Sequence, residues 1–456
     1  MRTKPSGMNL SSGGTAVARV LAALVVLCWL PMFAGRADAA VSIQDVVSPK
    51  GIHAWLVEDY SVPVVTIRFA FGGGTTQDPD GKEGLASLMT GLFDEGAGDL
   101  DSEAFQEKLD DAGAEMSFNA DRDRIYGSMR MLASEKDAAF GLLELAVEKP
   151  RFDQKPIDRI RAQLVSRIRA SENDPDTQAA IAMSKALYGD HPYSRRTDGT
   201  PETLAKITSD DLTAFHHRLF ARDDLTVAVV GAIDAESLKK VLDQVFGDLP
   251  EKAGLTPVPD VQPKLDQQVQ INYDLPQTSL QLLYPGVKRN APDFFAAYLM
   301  NQVLGGGTFS SRLFEEVREK RGLAYGATSN LIDREHADGL VIQTATRSDK
   351  ASETLGIVRD VVKKMAAEGP SANELAEAKK YVIGAFAISN LDSSTAIART
   401  LVDLQIDDLG IDYIQTREAK INAVTLDEVK AEAKKLLSAE PAILIVGPKL
   451  EEAGKK

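Results

Sequence analysis

The feature that most constrains the fold is an internal repeat. Three stretches in the first part of the chain return in the second part, each about the same distance further on. They are Ser134-Glu-Lys136 and Ser348-Asp-Lys350, Ile207-Thr-Ser-Asp-Asp-Leu212 and Val424-Thr-Leu-Asp-Glu-Val429, and the apolar strands 225–231 and 442–447. Self-similarity at a fixed separation is the sequence signature of repeated structural units. The chain is therefore predicted to contain a duplicated domain.

A proline-rich segment separates the two copies. Its prolines are Pro250, Pro257, Pro259 and Pro263, set in polar surroundings. Proline at this density favours an extended, semi-rigid connection. We therefore expect a first domain over residues 41–248, a linker over 249–266 and a second domain over 267–456.

Both copies combine short strands with longer amphipathic helices. Residues 124–131, for example, place Ile125, Gly127, Met129 and Met131 at alternate positions, as in a half-buried strand. Strands in adjacent pairs and helices in blocks, without strict alternation, favour an α+β fold. We expect each domain to pack helices on one face of a largely antiparallel sheet, and the two domains to form a clam shell. In the first copy, strands are predicted near 41–47, 53–57, 64–71, 115–120, 124–131 and 225, and helices over 84–93 and 102–112 and from 135, 156, 176, 209 and 235.

Residues 1–40 have the pattern of a secretory signal peptide. Arg2, Lys4 and Arg19 precede or flank an apolar run over 20–30, and Ala37-Asp-Ala39 is a small-residue cleavage site. A membrane anchor is the alternative, but the run is short for a span. The single cysteine lies in this segment at position 28, so the mature chain is expected to lack disulfides and thiolate sites. We expect a periplasmic location, with secretion as the alternative.

The charge of the chain bears on its partners. The formal net charge is −15, and residues 1–40 carry four Lys/Arg and one Asp, so their removal leaves −15 − 3 = −18. This balance argues against nucleic acid or an anionic membrane as a partner. It is compatible with basic or unfolded peptides, although acidic surfaces usually serve solubility alone.

The stretch from Gly305 to Tyr325 carries the most chemical information. Its opening glycines allow positive φ or close backbone approach, Ser310 is the expected N-cap of a short helix, and Gly322 is suited to end that helix. A strand is expected to follow, with Leu323, Tyr325 and Ala327 on one face. The glycines match neither a P-loop nor a dinucleotide motif.

Arg318 and Tyr325 lie seven residues apart in this stretch. A helix followed by a strand can hold the guanidinium and the phenol side by side, facing a ligand. The alternative is that Arg318 only complements the helix dipole and Tyr325 is an ordinary half-buried strand residue.

This stretch resembles the C-terminal-half signature of the insulinase/pitrilysin family of metallopeptidases, in the shorter branch that includes mitochondrial processing peptidase. The resemblance extends over nearly all of the mature chain. It implies that Arg318 and Tyr325 hold the peptide backbone and the oxyanion of peptide hydrolysis at a zinc site, a role for which strong donors are suited. It also implies a substrate-binding role for the glycine-rich loop, Gly305, Gly306 and Gly307.

The zinc motif of that family is degenerate here. Active members carry an H-x-x-E-H helix, in which two histidines bind zinc and the glutamate activates water. In the matching frame, Ser87 and Gly91 stand at the histidine positions and Thr90 at the glutamate position. Ser166 and Arg167 replace the paired glutamates that supply the third ligand. We therefore expect no metal to be bound by this chain.

The histidines do not suggest a rebuilt site. They are His53, His191, His216, His217 and His336, scattered along the chain. The adjacent pair points in directions about 100° apart on a helix, so both cannot bind one ion without distortion.

These features together predict the zinc-less subunit of an exported, two-chain zinc metallopeptidase, inactive alone. A homologous H-x-x-E-H subunit would hold the zinc, and the pair would close a chamber around an extended peptide. Phe71, Gly72 and Gly73, at the end of a strand, are a candidate site for peptide strand addition, with a plain strand-to-loop turn as the alternative. Two alternatives to the subunit function stay open: an inactive scaffold or peptide-binding protein, and a homodimer with an unfamiliar metal site.

Overall fold

A computed structural model describes residues 41–307 and 309–450. The expected signal segment, including Cys28, lies outside the described residues. From Ile43 onward the chain forms one compact unit. We call residues 43–248 the first half and residues 267–450 the second half. No described helix is both long and apolar enough to cross a membrane.

The first half contains a six-stranded sheet of order β1-β2-β8-β3-β7-β6. Its strands are β1 (Gln44–Val47), β2 (His53–Glu58), β3 (Val64–Gly72), β6 (Glu115–Ala120), β7 (Arg124–Leu132) and β8 (Leu225–Gly231), and a small hairpin adds β4 (Gly96–Ala97) and β5 (Leu100–Asp101). The helices are α1 (Leu85–Thr90), α2 (Ser102–Asp111), α3 (Lys136–Glu148), α4 (Gln154–Ser171), α5 (Pro175–Tyr188), α6 (Pro201–Leu204), α7 (Ser209–Leu219) and α8 (Ala235–Phe246).

The second half contains a five-stranded sheet of order β11-β12-β10-β13-β9. Its strands are β9 (Gln268–Asn272), β10 (Gln277–Tyr284), β11 (Ala324–Arg334), β12 (Ala337–Arg347) and β13 (Ala442–Gly447). The helices are α9 (Phe294–Asn301), α10 (Arg312–Phe314), α11 (Ala351–Glu368), α12 (Ala372–Asn390), α13 (Ser394–Ile406), α14 (Tyr413–Ala423) and α15 (Leu426–Leu437).

Each sheet is antiparallel except for one pair of strands. The parallel pairs are β2 with β8 and β9 with β13. The strands β8 and β13 are the two copies of the apolar repeat, and both are almost completely buried. The helices α7 and α15 before them start with the same capping box, built on Thr208 and Thr425. The α+β fold with two related halves is confirmed.

The structure adds an exchange of helices that the sequence did not predict. Helix α5 of the first half packs on β9 and β13, and helix α13 of the second half packs on β3 and β8. The first contact buries Met183 and Leu187 against Leu444 and Val446. Each sheet is therefore covered by helices of its own half on one face and by a helix of the other half on the opposite face.

The linker follows an irregular path and is bonded to both halves. His191 Nε2 lies 2.8 Å from the carbonyl oxygen of Pro259, and the amide of Val261 donates to the carbonyl of His336 at 2.8 Å. The connection is thus held in place along its length. The division into three segments at residues 248 and 266 stays a prediction.

Candidate functional site

Glycine is needed in the glycine-rich loop because the backbone packs closely there, and not because the chain adopts positive φ. None of Gly305, Gly306 and Gly307 has a positive φ. The chain instead continues from α9 into a π-helical turn, Gln302–Gly306. A Cβ atom on Gly305 would lie 2.5 Å from the backbone nitrogen of Ser329 on β11. A larger residue there would push the loop away from the sheet.

The short helix after the loop is capped by a different serine from the one expected. Ser311, and not Ser310, is the N-cap, and its hydroxyl accepts from the amide of Phe314 at 3.4 Å. Helix α10 then passes into a second π-helical turn, Glu315–Glu319. Gly322 ends the turn with a φ of 61°, as its sequence position predicts.

Arg318 and Tyr325 lie side by side at the surface. The guanidinium carbon of Arg318 is 4.4 Å from the centre of the Tyr325 ring and 5.0 Å from that of Phe314. Its Nη1 donates to the backbone carbonyl of Tyr325 at 3.0 Å. The Tyr325 side chain is 86% exposed. A fixed guanidinium and a free phenol therefore present donors to solvent on one face.

The expected strand face is only partly correct. A register shift between Ala324 and Ala327 interrupts the pairing of β11 with β12. Tyr325 is consequently exposed while Leu323 and Ala327 are buried, so these three residues do not share one face. The bulge turns the phenol outward, which is what brings it next to Arg318.

Sequence reasoning missed a neighbouring aromatic residue, Phe309. Its side chain is 75% exposed, and its ring lies edge-on to that of Phe314, with 5.3 Å between centres. An aromatic residue two positions after a run of glycines was the available signal. We call Phe309, Phe314, Arg318 and Tyr325 the arginine–aromatic surface. It combines apolar area with hydrogen-bond donors, as peptide-binding surfaces do.

The candidate strand-addition site in the first half is wrong. Phe71 is paired on both sides, with Ile125 of β7 and Leu225 of β8. The amides of Gly72 and Gly73 donate to the carbonyl groups of Asp224 and Asp123 at 3.3 and 2.7 Å. All three positions are buried. The plain strand-to-loop turn is the correct interpretation, because the backbone at Phe71, Gly72 and Gly73 has no free edge to which a peptide strand could pair.

The degenerate zinc motif lies on α1, as the sequence frame predicts. The Ser87 hydroxyl donates to the carbonyl of Thr197 at 2.9 Å, and that of Thr90 donates to the carbonyl of Ser87 at 3.1 Å. A Cβ atom on Gly91 would lie 3.0 Å from Cγ2 of Ile160 on α4. Both hydroxyls are thus engaged in hydrogen bonds within the protein. The apolar side chain of Ile160 occupies the space beside the third position, Gly91.

Two further residues considered for the metal site, Arg167 and His216, make contacts within the protein. Arg167 lies 3.6 Å from the carboxylate of Asp198. Burial lowers the pKa of His216 to about 4, and its Nε2 is 2.8 Å from the carbonyl oxygen of Val147. Among the described residues, no group of three or more His, Cys, Asp or Glu side chains is arranged to hold a metal ion.

The family assignment follows from two matches. Residues 54–201 match the family model described as "Insulinase (Peptidase family M16)", and residues 206–382 match "Peptidase M16 inactive domain". The chain belongs to the M16 insulinase family. The resemblance found in the sequence is confirmed.

Relatives of similar length carry two kinds of description. The chain is 25% identical to the "Non-peptidase homolog YmxG" of Helicobacter pylori, over 88% of this chain and 92% of the relative. It is 23% identical to the "Uncharacterized zinc protease YmxG" of Bacillus subtilis, over 87% and 96%. Proteins similar to this chain are therefore described both as a non-peptidase homolog and as an uncharacterized zinc protease.

Solved structures share the fold. A crystal structure of a peptidase M16 inactive domain from Pseudomonas fluorescens matches with a TM-score of 0.83 and 29% identity, over 91% of this chain and all of that one. The periplasmic protease PqqL of Escherichia coli matches with a TM-score of 0.75 and 18% identity, over 89% of this chain and 45% of that one.

Proposed function

We propose that this protein is the non-zinc-binding subunit of an exported, heteromeric zinc metallopeptidase. It contributes Arg318 and Tyr325 to the site of a homologous partner that carries the H-x-x-E-H helix and its zinc. The observation that supports this most strongly is the asymmetry between the halves. The donor pair of the second half is formed and exposed, with the Arg318 guanidinium 4.4 Å from the Tyr325 ring. The metal-binding positions of the first half hold Ser87, Thr90 and Gly91.

The chemistry of the pair suits a supporting role. Zinc held by the partner's H-x-x-E-H helix would supply Lewis-acid chemistry for peptide hydrolysis, a reaction in which the peptide carbonyl oxygen gains negative charge. A guanidinium held by the Tyr325 carbonyl and stacked on Phe314 keeps its remaining N–H groups in a fixed direction. Such preorganised donors stabilise developing charge without reorganising during the reaction. Phe309 adds an apolar contact for a substrate side chain.

A second function is favoured by one relative. The Helicobacter pylori protein is described as a non-peptidase homolog. On that alternative the chain is a peptide-binding or scaffold protein, and the arginine–aromatic surface binds extended peptides without cleavage. The first discriminator is a neighbouring reading frame that encodes an M16 protein with an intact H-x-x-E-H motif. The second is whether such a protein co-purifies from the native host.

The test is a reconstituted pair with Arg318→Ala. We expect kcat/KM for a peptide to fall by about 10²-fold or more, the range seen when an oxyanion donor is removed. Arg347→Ala is the matched control, because Arg347 is an exposed arginine of the same half that pairs with Asp349. Tyr325→Phe should lower kcat more than it raises KM. An unchanged rate for Arg318→Ala contradicts the shared site, and a change in KM alone supports the peptide-binding alternative.

The export part of the proposal has its own measurement. The pattern at residues 1–40 places the mature N-terminus close to Ala40. N-terminal sequencing of protein from the periplasmic fraction of the native host should begin at or near Val41. Recovery of the chain only from the cytoplasmic fraction, with Met1 intact, would contradict export.

A further inference from the structure

Two aspartates face each other at the seam between the halves. Asp333 of β11 and Asp338 of β12 are directly paired across the hairpin. Two carboxyl groups can hydrogen-bond to each other only when one of them carries a proton. The buried Oδ1 of Asp338 has no hydrogen-bond partner among the described residues. Like charges directly opposite on neighbouring strands destabilise a hairpin, so two carboxylates here would repel.

The turn that joins these strands is one of the places where the second half contacts the first. The amide of Glu335 donates to Asp123 Oδ2 at 3.4 Å, and the amide of His336 donates to the Tyr193 hydroxyl at 3.0 Å. The Arg124 guanidinium also lies 3.4 Å from the Glu335 carboxylate. Anything that strains the hairpin is therefore transmitted to the contact between the halves.

A cavity of about 510 Å³ lies beside this turn and gives Asp333 access to water. Charged groups from several neighbouring elements line this cavity or lie close to the aspartate pair. They are Lys288 and Arg289 before α9, Asp403 and Asp407 at the end of α13, Asp260 in the linker, Asp121, Asp123 and Arg124 in the first half, and Arg334, Glu335 and His336 in the turn. Carboxylates outnumber cations in this set, so a second negative charge on the pair is not neutralised.

The directions in which the pKa values of the nearby aspartates are shifted agree with this geometry. Burial, and then the facing Asp333 carboxylate, raise the pKa of Asp338. Burial, and then Asp333, likewise raise the pKa of Asp407 to about 7. A carboxyl group whose pKa is raised on folding stabilises the fold below its unfolded pKa, and this stabilisation is lost as the pH rises through the folded pKa.

We propose that Asp333 and Asp338 share one proton, and that its release at higher pH loosens the contact of the β11–β12 turn with the first half. The pair thus acts as a proton-dependent latch between the halves of the chain. This inference does not depend on the proposed enzymatic role.

The test uses the full chain and Asp338→Asn. An asparagine amide donates to Asp333 as the protonated acid does, but it carries no titrating proton. The urea midpoint of the wild type should fall between about pH 5 and about pH 8, and this fall should shrink by about half in the variant. Asp110→Asn, at an exposed aspartate of α2, is the control and should retain the wild-type pH dependence.

A local measurement separates a latch from a general loss of stability. The amides of Glu335 and His336 form the contact with the first half. Their hydrogen-exchange protection, corrected for the intrinsic rate, should fall by about tenfold from acidic to mildly alkaline pH in the wild type and stay constant in Asp338→Asn. If the variant does not fold, Asp333→Asn removes the same proton. Protection that is independent of pH in the wild type, or unchanged pH dependence in both variants, would overturn the proposal.

Discussion

At the scale of residues, an ion pair joins α10, the helix that precedes Arg318, to α12. Arg312 on α10 donates to both carboxylate oxygens of Glu374, at 2.7 and 2.8 Å, and to the carbonyl of Gly369 at 3.0 Å. The same carboxylate accepts from the amide of Ser371 in the capping box of α12. The Glu374 carboxylate therefore caps the N-terminus of α12 and also forms an ion pair with α10, the helix that precedes Arg318.

The first prediction concerns this ion pair. The bonds from Arg312, and then the Ser371 amide, lower the pKa of Glu374 to about 2. Its contribution is thus present above the unfolded pKa and lost as the pH falls toward the folded value. Because the side chain is about one-third exposed, we expect Glu374→Gln to cost ~1–2 kcal/mol at neutral pH after solvent screening. Urea unfolding at about pH 7 and about pH 3 measures this, and the cost should shrink at the lower pH.

The control for this prediction lies on the same helix. Glu377→Gln changes an exposed carboxylate one turn further along α12 and should leave the midpoint nearly unchanged. A cost for Glu374→Gln that is equal at both pH values would show that the effect is packing rather than charge.

Much of this residue-level detail could not be predicted from the sequence. The spacing of Arg318 and Tyr325 predicted their proximity, and Gly322 predicted the end of the helix. The N-cap moved from Ser310 to Ser311 because capping depends on where the chain first adopts helical angles, which composition alone does not fix. The bulge before Ala327 is similarly invisible in an alternating pattern.

At the scale of elements, α1 holds Ser87 and Thr90 at the zinc-motif positions, with Gly91 directly after it, and it packs closely against α4. Ile160 fills the space beside Gly91, and a Cβ atom there would lie 3.0 Å from its Cγ2. The family resemblance identified the missing ligands, because these lie in a fixed frame. It could not reveal the contact with Ile160, because that residue is far away in sequence and lies on another helix.

The second prediction follows from the close approach of Ile160 to Gly91. A variant with Ser87→His, Thr90→Glu, Gly91→His and Ser166→Glu restores the ligands and the general base, but overpacking against Ile160 typically costs ~1–3 kcal/mol. Adding Ile160→Ala should therefore tighten zinc binding by about tenfold or more. Calorimetric titration with zinc measures both variants, and Ile160→Ala alone is the control. Equal affinities would show that the isoleucine is not an obstacle.

At the scale of the whole molecule, the exchanged helices make the two halves dependent on each other. Removal of either half would leave one face of the other sheet uncovered, because α5 covers β9 and β13 while α13 covers β3 and β8. Hydrogen bonds add to the apolar contact: the hydroxyls of Thr66 and Ser394 lie 2.9 Å apart, and Gln405 Nε2 donates to the Val227 carbonyl at 3.1 Å. The amphipathic pattern of α5 predicted that one face of this helix is buried, but not against which sheet.

The last prediction tests this dependence. A protease recognition sequence inserted after the exposed Lys252 allows the linker to be cut in the folded protein. Because the exchanged helices hold the halves together, the two fragments should co-elute on gel filtration and unfold in one cooperative transition. The midpoint should become dependent on protein concentration, since the halves are no longer tethered. The uncut insertion variant is the control, and separation of the fragments in native buffer would show that the linker, rather than the helix exchange, holds the molecule together.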